Sequence, residues 1–351
     1  MIKFLSSPRI TVLCLFLLFI LTFWGTIAQV QQGLYVAQER YFNSFFFLAD
    51  GFIPFPGAQL VLWVFFVNLI CSIILTFKKY TQWANSGLLI IHLGLIIYFV
   101  AAFLIFHVAQ ESNVHLAEGE WTNLSRSYQD WELAYWTDKT NKRQVTAFDT
   151  KYFKSGYQIP FENRDFTLTV DKFYSNCDAL SDSSLIEKPV VREREQNIEG
   201  GIFDLKINSK SYPLVLYGVQ SQPTPLRILG KDYYFILRHK RFPLPFTIRL
   251  DHFKAEFHPG TEVAKSFEST VTISTGALER QARIFMNNPL RYKDYTVYQA
   301  SYDVDSTGRQ YSTFAVVKNF ARILPYIACF VVFFGLALHF LIQAFLSKAR
   351  P

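Results

Sequence analysis

The chain has 351 residues, 50% of them hydrophobic and 17% aromatic, against only 18% charged. That charged share is well below the quarter usual in soluble domains, which excludes a disordered or fibrous chain and implies a bilayer for part of the sequence. The formal net charge is +7, yet the segment from Val108 to Phe320 is nearly neutral, with 27 basic and 26 acidic residues. The surplus lies beside apolar runs, whereas a nucleic-acid surface would cluster it on a folded domain. Nucleic-acid binding is therefore excluded.

The first apolar run, Ile10–Ala28, contains no charge. It is long enough to cross about 30 Å of hydrocarbon at about 1.5 Å per residue. The same reading applies to Ala58–Phe77, Ser86–His107 and Ile323–Leu346. A cleaved signal peptide fits the first run poorly, because its apolar core is long and no small-x-small site follows closely. Lys3 and Arg9 precede the first run, Lys78 and Lys79 follow the second, and Lys348 and Arg350 follow the fourth. Basic flanks of this kind mark the cytoplasmic side. Both termini and the Lys78–Asn85 link are then cytoplasmic, while 29–57 and 108–320 face outward. For a bacterium this means a multi-pass inner-membrane protein with a large periplasmic domain. The expected organisation is three spans over 1–107, an external domain over 108–320, and a fourth span with a short tail over 321–351.

Within the first external loop, Val30, Leu34, Ala37, Tyr41 and Phe45 recur at helical spacing. This predicts a helix in the 29–57 segment, either lying at the membrane interface or packing on the external domain. The external domain itself reads as strands. Phe166, Leu168 and Val170 alternate on one face of DFTLTVDKFYS, and Asn208-Ser209 marks a hairpin in FDLKINSKSYPLVLYG. FTIRLDHFKAEF alternates before a Pro259-Gly260 turn, and SFESTVTIST, DYTVYQASYD and YSTFAVVKN continue the pattern. Short strands separated by turns predict an antiparallel sandwich or barrel. Asp182–Gly201 is charged and ends in glycines, as an exposed loop would.

The chain lacks the side-chain patterns of common hydrolases. Asp251 and His252 are adjacent on a strand and therefore point to opposite faces. His239, His252 and His258 are irregularly spaced and read as structural. Cys14, Cys71 and Cys329 fall within apolar runs, Cys177 stands alone, and no CxxC or CxxCH occurs. Dithiol exchange and covalent haem attachment to this chain are thereby excluded.

The histidines in the apolar runs are more informative, because an ionisable group in lipid needs a partner or a task. His92 lies about 9 Å and His339 about 11 Å from the cytoplasmic ends of the third and fourth spans, at similar depth. His107 closes the third span on the outer side. A neutral imidazole in an apolar helix is a standard axial ligand of haem iron. Gly87 and Gly94 around His92 would let a helix or a planar ligand approach. Alternatively, His92 hydrogen-bonds to Asn68 or Ser72 and holds no cofactor.

Four stretches, in order, resemble the ResB (CcsB) family of cytochrome c biogenesis: Gly25–Phe42, His92–Tyr98, Phe246–Gly260 and Met286–Asp303. The resemblance implies a subunit of a cytochrome c haem lyase, obligatory to the complex but no enzyme by itself. It would carry haem b, bound transiently and non-covalently, across the membrane. It would work with a membrane partner of the CcsA or ResC type and present the haem to apocytochrome c, with a thiol-disulfide oxidoreductase as a further partner. His92 matches the family's haem-ligating position, making it the expected ligand of the haem iron, whereas the resemblance assigns nothing to His339. A Trp-rich outer motif with flanking histidines is missing, so a separate partner is expected to supply the attachment site. Two other readings stay open. One is a haem b redox subunit between quinone and outer cytochromes, using His92 and His339 as a bis-His pair, and the other is a structural anchor without cofactor.

Overall fold

A computed structural model describes residues 2–348, apart from 50, 81–82, 138–143, 162–165, 182–183, 192–195, 208–209, 261–263 and 277. The Asn208-Ser209 turn, Arg350, parts of the 182–201 loop and the side chains of Lys78, Lys79 and Lys348 lie outside the described set. The chain divides into two compact units, Met1–Gln110 with Asn319–Pro351, and Glu111–Lys318.

The first unit is helical. A short turn α1 (Ile2–Leu5) leads into α2 (Pro8–Gln32), which opens with Ser7 accepting a hydrogen bond from the Arg9 backbone N–H and with proline at its first position. Both features suit a helix start, where four amides lack internal partners. Gly33, with φ +80°, ends α2, since other side chains would be strained there. The short α3 (Leu34–Ala37) runs directly into a π-helical turn, Gln38–Phe42, and strands β1 (Phe46–Ala49) and β2 (Ile53–Pro56) then pair as a hairpin. The helix expected in 29–57 is therefore confined to 34–42. Val30 belongs to α2 and is exposed, and Ala37 and Tyr41 are the two residues of the expected stripe that are deeply buried. Tyr41, Phe47 and Phe55 close around Trp24, with ring centroids 4.8–5.7 Å apart. Helices α4 (Ala58–Tyr80), α5 (Ser86–Val108) and α6 (Leu324–Lys348) complete the unit. Among the described residues, four helices, α2, α4, α5 and α6, are long and apolar enough to cross a membrane.

Glycines set the packing of α5 against α6. A Cβ added at Gly87 would lie 2.5 Å from the His339 backbone nitrogen, and one at Gly94 would lie 2.7 Å from Val332 Cγ2. One added at Gly335 would meet Ile91 N at 2.8 Å. These contacts make the pair antiparallel and bring the backbones closer than larger side chains allow.

The second unit is built from antiparallel strands: β3 (Gln110–Ala117), β4 (Trp121–Thr137), β5 (Thr146–Asp149), β6 (Gln158–Ile159), β7 (Thr167–Tyr174), β8 (Cys177–Ser181), β9 (Ser184–Glu187) and β10 (Gly200–Ile207). They continue as β11 (Lys210–Tyr217), β12 (Thr224–Ile228), β13 (Lys231–Phe257), β14 (Ala264–Thr275), β15 (Leu278–Phe285), β16 (Leu290–Tyr292), β17 (Tyr295–Val304) and β18 (Gln310–Lys318). A ten-stranded sheet runs β15-β14-β13-β4-β3-β18-β17-β16, with β12 on β13 and β5 on β4. A four-stranded sheet runs β11-β10-β7-β6. The large β-rich domain expected from the alternation is thus present.

Strand β13 serves two cores. Its first half contributes Tyr233, Phe235 and Leu237 to a sandwich core with Leu168, Val170, Phe203 and Leu216 of the small sheet. Phe166, Leu168 and Val170 are buried together, as their alternation predicts. Its second half contributes Phe246, Ile248, Leu250 and Phe253 to a second core with Val271, Ile284, Val297 and Phe314. The two halves meet at Pro243 and Pro245, which have no N–H to give to a ladder. The pairing of β13 with β4 correspondingly breaks between Pro243 and Ile248.

Candidate functional site

The histidine at the centre of the sequence reading, His92, lies in the second turn of α5 and is half-buried. Its Nδ1 is 2.7 Å from the Leu88 carbonyl oxygen, one turn back. A carbonyl only accepts, so Nδ1 carries the proton in this contact, and in a neutral ring the lone pair resides on Nε2. That is the tautomer and the kind of orienting bond typical of a metal-binding imidazole.

Gly87 and Gly94 do not open the helix surface next to His92. They face α6, and His92 lies about 140° round the helix from Gly87. Phe99 and Phe103, seven and eleven residues further on, fall within about 20° of His92 on the same face. This face meets α4: Phe99 lies 5.5 Å from Phe65 and 5.4 Å from Phe66, and Phe103 lies 5.8 Å from Trp63, between ring centroids. Asn68 of α4 accepts from Thr11 Oγ1 at 2.7 Å and donates to the Leu5 and Ser7 carbonyls at 2.5 and 3.1 Å, so its amide is engaged at the start of α2.

Further along this face is a cavity of about 610 Å³ between α4 and α5. Trp63, Phe66, Phe99, Phe103, Phe106 and His107 line it, with Asn43 and Gln59 as polar neighbours. Its volume falls in the roughly 300–1,000 Å³ range of small-molecule sites. The His107 ring stands 4.4 Å from that of Phe103 and 5.0 Å from that of Phe106. His92 does not line this cavity; it sits about 10 Å before Phe99 along the helix axis. The spacing of Phe99, Phe103 and Phe106 marks one side of a helix in the sequence, but the cavity they line forms only against α4. The cavity suits a flat, mainly apolar ring system with one imidazole, that of His107, in its wall.

His339 is elsewhere. Its backbone abuts Gly87 in the α5–α6 interface, its Nδ1 is buried without a hydrogen-bond partner among the described residues, and Gln343, one turn on, donates to the Ala84 carbonyl at 3.3 Å. His339 is therefore level with Gly87, about 7.5 Å from the level of His92 along α5 and on another side of that helix.

In the second unit, Asp251 and His252 form no acid–base pair. Asp251 pairs with Arg249 at 2.7 Å and accepts from Thr272 at 2.5 Å, while His252 Nδ1 faces Glu118 at 2.9 Å. Cys177 is buried, and burial, with Asp178 and Glu199 nearby, pushes its thiol up to about 11. That leaves it protonated and unreactive at neutral pH. Among the described residues, no group of three or more His, Cys, Asp or Glu is arranged to hold a metal ion.

Comparison with known proteins finds a family match within the second unit. Residues 231–309, from β13 through β17, match the model of the ResB-like family. The Phe246–Gly260 and Met286–Asp303 stretches lie within this match, so the resemblance drawn from them is borne out; Gly25–Phe42 and His92–Tyr98 lie outside it. Protein NrfI of Wolinella succinogenes is 21% identical over 225 residues, which cover 62% of this chain and 23% of NrfI. The chain thus spans about a quarter of the length of the curated relative it matches.

Proposed function

From this ResB-like segment and the four long apolar helices, we propose that the chain acts in cytochrome c biogenesis as the ResB-type subunit of a haem lyase and haem export complex in a bacterial inner membrane. A CcsA- or ResC-type membrane protein is its partner. Haem b is its cargo, held transiently and passed to the partner for attachment to the CxxCH thiols of apocytochrome c. The β-rich domain faces the periplasm in this reading, where it holds the apocytochrome or the partner's loops. Edge strands such as β15 and β16 offer unpaired backbone groups for gripping an extended chain.

The observation that carries the proposal is His92. It is an imidazole in an apolar helix whose Nδ1 contact with Leu88 O places the lone pair on Nε2, on the same face as an aromatic track ending at His107. In this reading His92 ligates the iron and the rings of α4 and α5 shield the macrocycle from water. Its bond to Leu88 holds the imidazole at a fixed angle. The redox alternative, with His92 and His339 as one bis-His pair, is disfavoured by their different levels and different sides of α5.

The test is the absorption spectrum of the chain purified with a co-expressed partner, as wild type and His92→Ala. A Soret band lost in the variant and partly restored by added imidazole is the expected result. An undiminished band and normal cytochrome c yield in His92→Ala would overturn the assignment. A deletion strain that keeps its covalent c-type cytochromes but loses respiration would favour the redox alternative.

A further inference from the structure

Strand β13 carries Arg238, His239, Lys240 and Arg241 in succession, opposite a β4 that bulges at 127–130. Pairing steps from His239↔Trp131 directly to Arg241↔Arg126, leaving the four intervening β4 residues looped out. The loop is held by the Ser127 hydroxyl, which accepts from the Gln129 and Asp130 amides and donates to Asp130 Oδ2. Bulges of this kind re-aim side chains and are common next to functional sites.

Two neighbouring cations have carboxylate partners. Arg238 donates through Nε and Nη2 to Glu132 Oε1, both at 2.9 Å, and Lys240 bonds Asp149 Oδ2 at 2.9 Å. The side chains of Arg126 and Arg241 make neither a hydrogen bond nor an ion pair among the described residues, although the register sets them directly opposite each other. Like charges directly opposite on adjacent strands repel. Burial, together with the charges of Arg238 and Arg126, holds the Arg241 guanidinium down at about 10. Beside them, the His239 ring stacks on Trp131 at 4.1 Å, and its Nδ1 is buried without a hydrogen-bond partner among the described residues.

We propose that Arg126 and Arg241, flanked by His239, form an oxyanion-binding site that takes a carboxylate or phosphate group. Each guanidinium offers planar paired N–H donors that match two oxygens of such a group. The bound anion would pair with two guanidinium groups that no described carboxylate bonds, although Glu132 acts on Arg241 at longer range. The site is separate from the proposed haem ligand and stands whether or not the chain handles haem.

The experiment is thermal unfolding of the full chain in a neutral detergent, titrated with sodium phosphate or sodium succinate, with sodium chloride at matched ionic strength. The wild type is expected to melt several degrees higher in phosphate or succinate than in chloride. The anion that acts identifies the class, phosphate or carboxylate. Arg126→Gln and Arg241→Gln should each weaken the response at least tenfold in half-saturating concentration, while Arg291→Gln, at an exposed position, should leave it unchanged. In anion-free buffer, Arg126→Gln should melt at or above the wild-type temperature, because removing one of two opposed charges relieves repulsion. A response no greater than that to chloride, a response intact in both variants, or a lower melting temperature for Arg126→Gln in anion-free buffer would each overturn the proposal.

Discussion

Replacing Glu132 by Ala tests the energetics of the β4–β13 junction most directly. The Glu132 side chain is 7% exposed and that of Arg238 15%, with both guanidinium bonds running to the same carboxylate oxygen at 2.9 Å. Removing one member of a buried pair leaves the other charge uncompensated, at a typical cost of about 3–5 kcal/mol. Here the stranded charge of Arg238 would also act on Arg241, which already feels it. Partial access of Arg238 to water reduces the cost, so about 3 kcal/mol is expected for Glu132→Ala. For a unit of about 200 residues, that corresponds to a fall of roughly 6–12 °C in melting temperature. The partner variant Arg238→Ala should cost a similar amount, whereas Glu132→Leu combined with Arg238→Met should lie within about 1 kcal/mol of wild type, because the penalty comes from the unpaired charge. Circular dichroism of the full chain in detergent, followed against temperature and urea, reads all three. Single variants that each cost under about 1 kcal/mol would show that water solvates the pair and would refute the argument.

Other consequences are equally direct. Burial, with the nearby Arg126 charge, lowers the affinity of His239 for a proton below its usual 6.5, against a raising hydrogen bond that the ring donates to the Asp130 backbone carbonyl. The unfolded chain therefore binds the proton first, and stability should fall as pH drops below about 6.5, a slope that His239→Gln should flatten in denaturant titrations. Cys177 should resist alkylation by iodoacetamide at pH 8 in the folded protein and react fully once unfolded. Gly94→Leu should force α5 from Val332 and Ala328 and cost about 1–3 kcal/mol by overpacking, seen as a lower melting temperature, while Ala at the exposed Leu93 should change it little.

The amino-acid sequence by itself determined the four long apolar helices and the β-rich segment between the last two, because these follow from local period and length. An uncharged run of about 20 residues or more has few alternatives to a helix, and the alternation of Phe166, Leu168 and Val170 admits only one buried face. His92 was legible as a candidate for the same reason, as an ionisable group in an apolar run. What that histidine faces was not legible. Gly87 and Gly94 belong to the contact with α6, and Phe99 and Phe103 to the contact with α4. That division depends on which neighbour each side of α5 meets, a contact over long sequence separation that no local pattern encodes.

Tertiary structure also decided the fate of 29–57, where Gly33 and the pairing of β1 with β2 limit the helix to 34–42 so that Tyr41, Phe47 and Phe55 can close on Trp24. It likewise made one 27-residue strand of a stretch interrupted by Pro243 and Pro245, because β4 pairs with it on both sides of the prolines and β14 joins beyond them. The opposition of Arg126 and Arg241 arises from the same pairing: residues more than a hundred positions apart become neighbours through strand register, and register is a property of the assembled sheet.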